Sequence, residues 1–450
     1  MAQQKKVYVC SECGSVTGKW SGRCFSCNSW ETITERQPQT VASTALASGK
    51  KVPLINLDKL PSSDAPKRLT SDIHEWDRVI GGGLVPGAFI ILTGDPGIGK
   101  STLLLQIAQG LASGTHKVIY FSSEESLAQI KQRAERIGVN SSSVLFSDAA
   151  RLDAILATAL DEQPDVLILD SIQNCYLSDD ERALPGTISQ LKEAGFRLMK
   201  LAKENNITVI ITGHITKDGH MAGPKVLEHI VDGVFYLQGE DRWQLRMLRS
   251  VKNRFGTINE LGFFEMKQGG LTSLVNINQH LLSQSTHAPG ASLTCTLEGS
   301  RPLLLELQAL CVQTKYAMPQ RVVTGADSKR VLLIAAILEK YLHTSFSSFD
   351  IFFKVSGGCS IKESATDLSI ALALLSSFFQ QPLPEKSIAL GEISLTGQIK
   401  PVNHIDVRLK EAEKFGLTNI FLSEEQKIAS KNTKSFKNVY ELLSLFPSSV

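Results

Sequence analysis

The segment Gly94-Asp95-Pro96-Gly97-Ile98-Gly99-Lys100-Ser101 fits the spacing G-x-x-x-x-G-K-[ST] at every fixed position. It constrains the fold more than any other feature, because such a loop needs a buried strand before it and a helix after it. The chain supplies both: Ala88 to Thr93 reads as an apolar strand, and Thr102 to Ala112 as a Leu-rich helix. The glycines let backbone N–H groups turn inward around phosphate oxygens at the helix start. Gly94, Asp95, Pro96, Gly97, Ile98, Gly99, Lys100, Ser101 and Thr102 are therefore the expected nucleotide contacts. Lys100 brings a cation to the β- and γ-phosphates, and the Ser101 hydroxyl suits Mg²⁺. A plain Gly-rich turn is the bland alternative, and the context on both sides weighs against it.

A chain of 450 residues allows two or three domains. The formal net charge is only +2, so nucleic-acid binding would need a local patch rather than a global field. With 20% charged and 42% hydrophobic residues the composition is that of a globular protein. No apolar run reaches the length of a membrane span, and the first residues lack a signal-peptide core. A cytoplasmic protein with no membrane partner is expected. Four of the eight cysteines (Cys175, Cys295, Cys311, Cys359) are scattered among apolar neighbours and read as small core residues.

The other four cysteines sit together as Cys10-x-x-Cys13 and Cys24-x-x-Cys27. Two such pairs offer four thiolates to one structural Zn²⁺, with Gly14 and Asn28 placed to close the two turns. A module this small cannot fold on apolar burial alone, so the metal supplies the missing free energy. We place this ribbon at 7–30, a polar, small-residue linker at 31–68, and an ATPase domain at 69–266. In the last, apolar runs (Phe89–Leu92, Val118–Phe121, Val144–Phe146, Val166–Leu169, Thr208–Thr212, Val234–Leu237) alternate with helical stretches. That alternation predicts a mainly parallel sheet covered on both faces, with ligands beyond the carboxyl ends of its strands. Gly269-Gly270 and Pro289-Gly290 mark a boundary, and an α+β block follows at 285–450.

Val166-Leu167-Ile168-Leu169-Asp170 is an apolar strand ending in an acid. Asp170 is placed to hold Mg²⁺ beside Ser101, the alternative being a simple turn cap. Another strand ends in Glu124-Glu125. Either acid could orient and deprotonate the attacking water, Glu124 being preferred as nearer the strand, and both could instead cap the next helix. His214, after a third strand, could sense the γ-phosphate or be a structural histidine. Arg242, Arg246, Arg249, Lys252 and Arg254 form a basic run with no acid up to Asn259. Lys252 and Arg254 could reach a neighbouring subunit's phosphate, or the run could contact nucleic acid, or it could be a solvated strand edge.

Together these residues resemble the bacterial RadA/Sms family of RecA-like DNA repair ATPases over nearly the whole chain. The specific parts are the four-cysteine ribbon, Gly81-Gly82-Gly83-Leu84-Val85-Pro86-Gly87, and the family signature Lys252-Asn253-Arg254-Phe255-Gly256. Thr257 departs from the Pro or Ser often found there. The resemblance implies a DNA-dependent ATPase acting on recombination intermediates and promoting branch migration, as a ring-shaped translocase or helicase. Its implied partners are single-stranded and branched DNA, recombinase filaments, and further copies of itself in a hexamer. It implies ATP between subunits, Lys252 and Arg254 acting in trans, Glu124 activating water, and a DNA-contacting loop from Lys217 to Lys225. Arg246 and Arg249 are expected DNA contacts as well.

The C-terminal block resembles the peptidase domain of Lon proteases, which use a Ser–Lys dyad. Ala365 falls at the nucleophile position, with Ser364 one residue early, and Arg408 fills the lysine position. Arginine stays protonated and cannot serve as the base. The block is therefore expected to be a non-proteolytic scaffold. Two other readings stay open: an ATP-dependent Lon-like protease, and a RecA-like regulatory ATPase without DNA coupling.

Overall fold

The computed structural model describes residues 7–12, 14–36, 56, 67–140, 143–177, 186–214, 224–239, 245–258, 260–283, 285–316, 318–428 and 433–447. Cys13 and Lys217 lie outside the described residues, as do most of the 31–68 linker and the side chains of His214 and Lys225. The described residues form two compact units, one carrying the ribbon and the phosphate loop and one running mainly from Leu274 onward.

In the ribbon, β1 (Val7–Cys10) pairs antiparallel with β2 (Val16–Thr17) and β3 (Ile33–Arg36). Two equivalent turns present the thiols. Gly14 N–H donates to the Cys10 carbonyl at 3.0 Å, and Asn28 N–H to the Cys24 carbonyl at 2.9 Å. Gly14 and Asn28 close them with φ of 72° and 61°, a left-handed conformation that glycine and asparagine adopt most readily. Cys10, Cys24 and Ile33 make the small core.

The nucleotide unit begins with α1 (His74–Ile80), β4 (Phe89–Gly94), α2 (Lys100–Ser113), β5 (Val118–Ser122) and α3 (Leu127–Arg136). It continues with β6 (Val144–Ser147), α4 (Leu152–Glu162), β7 (Val166–Asp170), α5 (Ile188–Asn205), β8 (Thr208–His214), α6 (Pro224–Leu227) and β9 (Gly233–Gly239). Strands β10 (Leu245–Asn253), β11 (Leu261–Lys267) and β12 (Gly270–Ser273) complete the sheet in the order β12-β11-β10-β9-β4-β8-β7-β5-β6. The strands from β9 to β6 in that order pair parallel. One apolar cluster lies on the α2 face (Leu103, Leu104, Ile107, Tyr120, Ile168) and another on the α5 face (Phe89, Ile91, Leu169, Leu198, Val209).

One feature of this sheet differs from the sequence expectation, and another is only one of its open readings. The sheet does not end at residue 266: Lys267 pairs with Gly270, whose φ of 100° turns the chain into β12. The glycine pair read as a boundary is thus a hairpin turn. And the basic run contains a strand, β10. Its period-two burial, with Leu248 and Ser250 buried, is hidden in sequence by the long cationic side chains between.

In the second unit, α7 (Ile277–Leu282) leads to β13 (Ala291–Glu298), β14 (Arg301–Gln313), β15 (Arg321–Thr324), α8 (Ser328–Leu342) and β16 (Phe349–Val355). The mixed sheet runs β13-β14-β16-β15, with α9 (Asp367–Phe378) buried along nearly its whole length. Next come β17 (Ser387–Ala389), β18 (Glu392–Ile393), β19 (Ile399–Lys400), α10 (Ile405–Lys414), β20 (Asn419–Ser423) and β21 (Thr433–Phe436). A small parallel sheet β17-β20-β21 and the β18–β19 pair complete this α+β unit.

Candidate nucleotide site

Four strands end at one edge of the sheet, and their carboxyl ends carry the expected site. Gly94 ends β4 beside His214 of β8, and Ser122 of β5 pairs with Asp170 of β7. The loop then turns through Gly97 and Gly99, with φ of 75° and 114°, before Lys100 opens α2. Gly94 is needed for space as well, since a Cβ there would lie 2.1 Å from the Leu237 carbonyl oxygen.

Lys100 is 5% exposed and its Nζ donates to the carbonyls of Gly94 at 2.9 Å and Asp95 at 3.0 Å. Burial lowers its pKa, while the charges of Asp170, Glu124 and Asp95 oppose that shift. The cation and the two catalytic candidates therefore share one electrostatic neighbourhood.

Asp170, 6% exposed, accepts hydrogen bonds from Tyr120 Oη at 2.7 Å and Thr212 Oγ1 at 2.6 Å. These two neighbours hold its carboxylate at the strand end. Burial, with the Asp170 charge next, pushes the Tyr120 phenol well above its ordinary pKa, so it remains a donor. Sequence reasoning passed over both residues. Their signal was a polar group set against an apolar run, Tyr120 between Ile119 and Phe121 and Thr212 directly after Val209 to Ile211.

The two adjacent acids separate in space. Glu125 forms an ion pair with Arg133 of α3, whereas Glu124 accepts a hydrogen bond from Ser171, the residue after Asp170. Ser171 N–H also donates to Ser123 Oγ at 3.1 Å. Glu124 thus belongs to the Asp170 side of the site and Glu125 to the helix.

Lys252 and Arg254 are not part of this constellation. Arg254 meets Asp232 at 3.2 Å, and Lys203 meets the same carboxylate at 2.6 Å. Asp232 in turn accepts from Phe89 N–H at 3.0 Å, at the amino end of β4. Lys252 Nζ donates to the Glu228 carbonyl. Five strand steps separate Phe89 from Gly94, a span of roughly 17 Å. The signature is clamped there: Arg68 donates to the Phe255 carbonyl at 2.7 Å, and Asn253 to the Ile80 carbonyl at 3.2 Å. Gly81, within the triple-glycine turn, faces Phe255, so a Cβ there would lie 3.0 Å from the Phe255 carbonyl oxygen. Since β10 leaves Asn253 at this end, its other end reaches the phosphate loop, where Arg246 Nε donates to the Ile98 carbonyl at 3.2 Å.

In the ribbon, the sulfurs of Cys10, Cys24 and Cys27 gather within 4.8 Å of one another. Three thiols converging on one point fit a thiolate-bound metal such as zinc.

In the second unit Arg408 is 2% exposed, and its guanidinium pairs with both Glu363 oxygens at 2.6 and 2.7 Å. Burial acts to raise the Glu363 pKa, but the hydrogen bonds and charge of Arg408, together with hydrogen bonds from Thr296 and the Leu297 N–H, outweigh it and the net shift is downward. Ser364 Oγ donates to Glu392 at 2.8 Å, and Ala365 is buried.

Family models match three segments of the chain: a rubredoxin metal binding domain over 8–35, an AAA domain over 57–220, and the subunit ChlI of Mg-chelatase over 328–426. The DNA repair protein RadA of Bacillus subtilis is 39% identical over 94% of this chain and 93% of its own length. The chain belongs to the RadA family. RadA of Streptococcus pyogenes serotype M1 is 42% identical over 94% of this chain and 93% of its own, and RadA of Rickettsia bellii 38% identical over the full length of both. Among solved structures, the RadB recombinase aligns with 46% of this chain and 99% of that chain, at 22% identity and a TM-score of 0.37. This RadA-family chain therefore carries a P-loop ATPase domain, a metal-binding ribbon and a C-terminal α+β unit. No helix among its described residues is long and apolar enough to cross a membrane.

Proposed function

We propose that this RadA-family chain is a Mg²⁺-dependent ATPase of the cytoplasm that couples turnover to the processing of single-stranded and branched DNA during recombination. Gly94 to Thr102 hold ATP, Lys100 neutralises its phosphates, Ser101 and Asp170 hold Mg²⁺, and Glu124 activates the attacking water. Mg²⁺ would supply charge neutralisation at the β- and γ-phosphates. Zn²⁺ on Cys10, Cys13, Cys24 and Cys27 would supply the ribbon's folding free energy. The supporting geometry is the meeting of Lys100, Asp170 and Glu124 at one set of strand ends.

Lys252 and Arg254 complete a neighbour's site, in a ring of six. The observation favouring this reading is their place at the opposite end of β4, out of reach of their own phosphate loop. DNA, whose involvement the relatives' names carry, would be contacted by Lys217, Lys225 and Arg249, with recombinase filaments as a protein partner. The second unit acts as a scaffold without peptidase activity. The buried Arg408–Glu363 pair supports this, because no neutral amine stands where a dyad base is needed.

The test is the ATPase rate with and without single-stranded DNA, for wild type, Lys100→Ala and Lys252→Ala. Lys100→Ala should abolish turnover. Lys252→Ala should reduce it, and addition of Lys100→Ala subunits should restore part of the rate, since each variant keeps what the other lacks. A rate that ignores DNA would favour the regulatory-ATPase reading instead.

A further inference from the structure

The basic strand β10 does two jobs at its two ends, and the end nearer the phosphate loop was expected to touch DNA. Its geometry argues otherwise. Alternate residues of a strand share a face. Arg246 therefore shares the face of Leu248, which is buried in the apolar cluster with Leu103 and Leu104 of α2. Arg249 lies on the other face. The Arg246 guanidinium engages the loop itself, through the hydrogen bond from Nε to the Ile98 carbonyl.

We infer that Arg246 is a positioning residue for ATP, resting on the nucleotide reading above: it fixes the Ile98–Gly99 peptide so that Gly99 N–H faces the phosphates. Across a trans peptide the C=O and N–H point in opposite directions. A donor that holds the Ile98 oxygen toward β10 turns the Gly99 N–H away from β10, to the concave side of the loop. Gly99, at φ 114°, has no side chain of its own to hold that peptide.

The strands beyond β10 brace the same point. A Cβ on Gly99 would come within 2.7 Å of Met266 Cε and 3.5 Å of Leu271 Cδ1. The Gln106 amide, nearly two turns into α2, donates to the Leu271 carbonyl at 3.1 Å and accepts from its N–H at 3.0 Å. The antiparallel extension of the sheet is thus a rigid back wall for the loop, to which Arg246 adds a cationic contact at the Ile98 carbonyl.

The experiment uses the full chain with Arg246→Met, which keeps an unbranched stem but no donor, and Arg246→Lys, which keeps a charged donor. Affinity for Mg·ADP, KM and kcat for ATP, and single-stranded DNA affinity across a salt series are measured for each. Loss of one charge-assisted hydrogen bond should weaken Mg·ADP binding and raise KM roughly tenfold in Arg246→Met. Arg246→Lys should recover most of that, while kcat at saturating ATP and the salt slope of DNA binding stay at the wild-type values. Unchanged nucleotide affinity in Arg246→Met, with a DNA salt slope smaller by about 0.7, would make Arg246 a DNA contact and overturn the inference. Weakening that Arg246→Lys fails to relieve would overturn it too, as general damage to the strand. Wild-type protein that binds no Mg·ADP would sink the ATPase reading itself, a distinct outcome.

Discussion

Two adjacent glutamates show how a single residue's partner decides its role. Glu125 is occupied by Arg133, while Glu124 faces Ser171 and, through it, the Asp170 corner. Glu124→Gln should therefore keep ATP binding and slow turnover by about 100-fold or more, as expected for loss of a general base. Glu125→Gln should change the rate only a few-fold, and single-turnover kinetics on both variants would reveal a reversed order if the assignment is wrong. The pair was legible in sequence as two acids after a strand. What separated them was the helical position of Arg133 and the identity of the residue after Asp170, which no local pattern encodes. In the second unit, Glu363 carries a pH signature. Its folded pKa lies below the ordinary 4.5, so its contribution to stability is present above that value and is lost as pH falls through the lowered one. Thermal melts should show Glu363→Gln less stable than wild type at pH 7, with the gap closing toward pH 3. A gap that stays constant would mean the Arg408 pair contributes nothing through ionisation.

At the level of elements, the parallel strands and their helices were readable because apolar runs and helical stretches alternate without interruption from Phe89 to Leu237. Strand β10 was readable only as one of several alternatives, since its long cationic side chains mask its few inward residues, and the β11–β12 hairpin was not read at all. The turn that joins β11 to β12 also looks like a domain boundary when only its glycines are seen. Helix α2 carries a similar concealed constraint. Gly110 sits mid-helix, where alanine is normally better by about 1 kcal/mol. Here a Cβ would lie 1.8 Å from the backbone oxygen of Ser71, which is itself anchored by Asp77 at 3.0 Å. Gly110→Ala should therefore destabilise the unit by about 2 kcal/mol in urea unfolding, as overpacking against backbone does. A gain in stability would show that the 69–72 segment yields freely.

For the whole molecule, the modular plan was legible because each module has its own chemical mark: thiols, a phosphate loop, a degenerate dyad. Their marks also make them separable by experiment. Cys24→Ser should release bound zinc, measured by a chromophoric chelator, and unfold the ribbon while leaving Mg·ADP affinity at the wild-type value. A matching loss of nucleotide affinity would mean the ribbon supports the ATP site. What the sequence could not convey is that the signature Lys252-Asn253-Arg254-Phe255-Gly256 and the phosphate loop occupy opposite ends of one sheet, because both lie on elements joined through β9 and β10. With Asp232 holding Arg254 and Arg68 gripping Phe255, that end of the sheet is preformed. On the proposed role of Lys252 and Arg254 in a neighbour's site, a lone subunit would carry half of two different catalytic centres and the whole of none. Its rate per molecule should climb with protein concentration and collapse on dilution, making hydrolysis a direct report of how many copies have found one another.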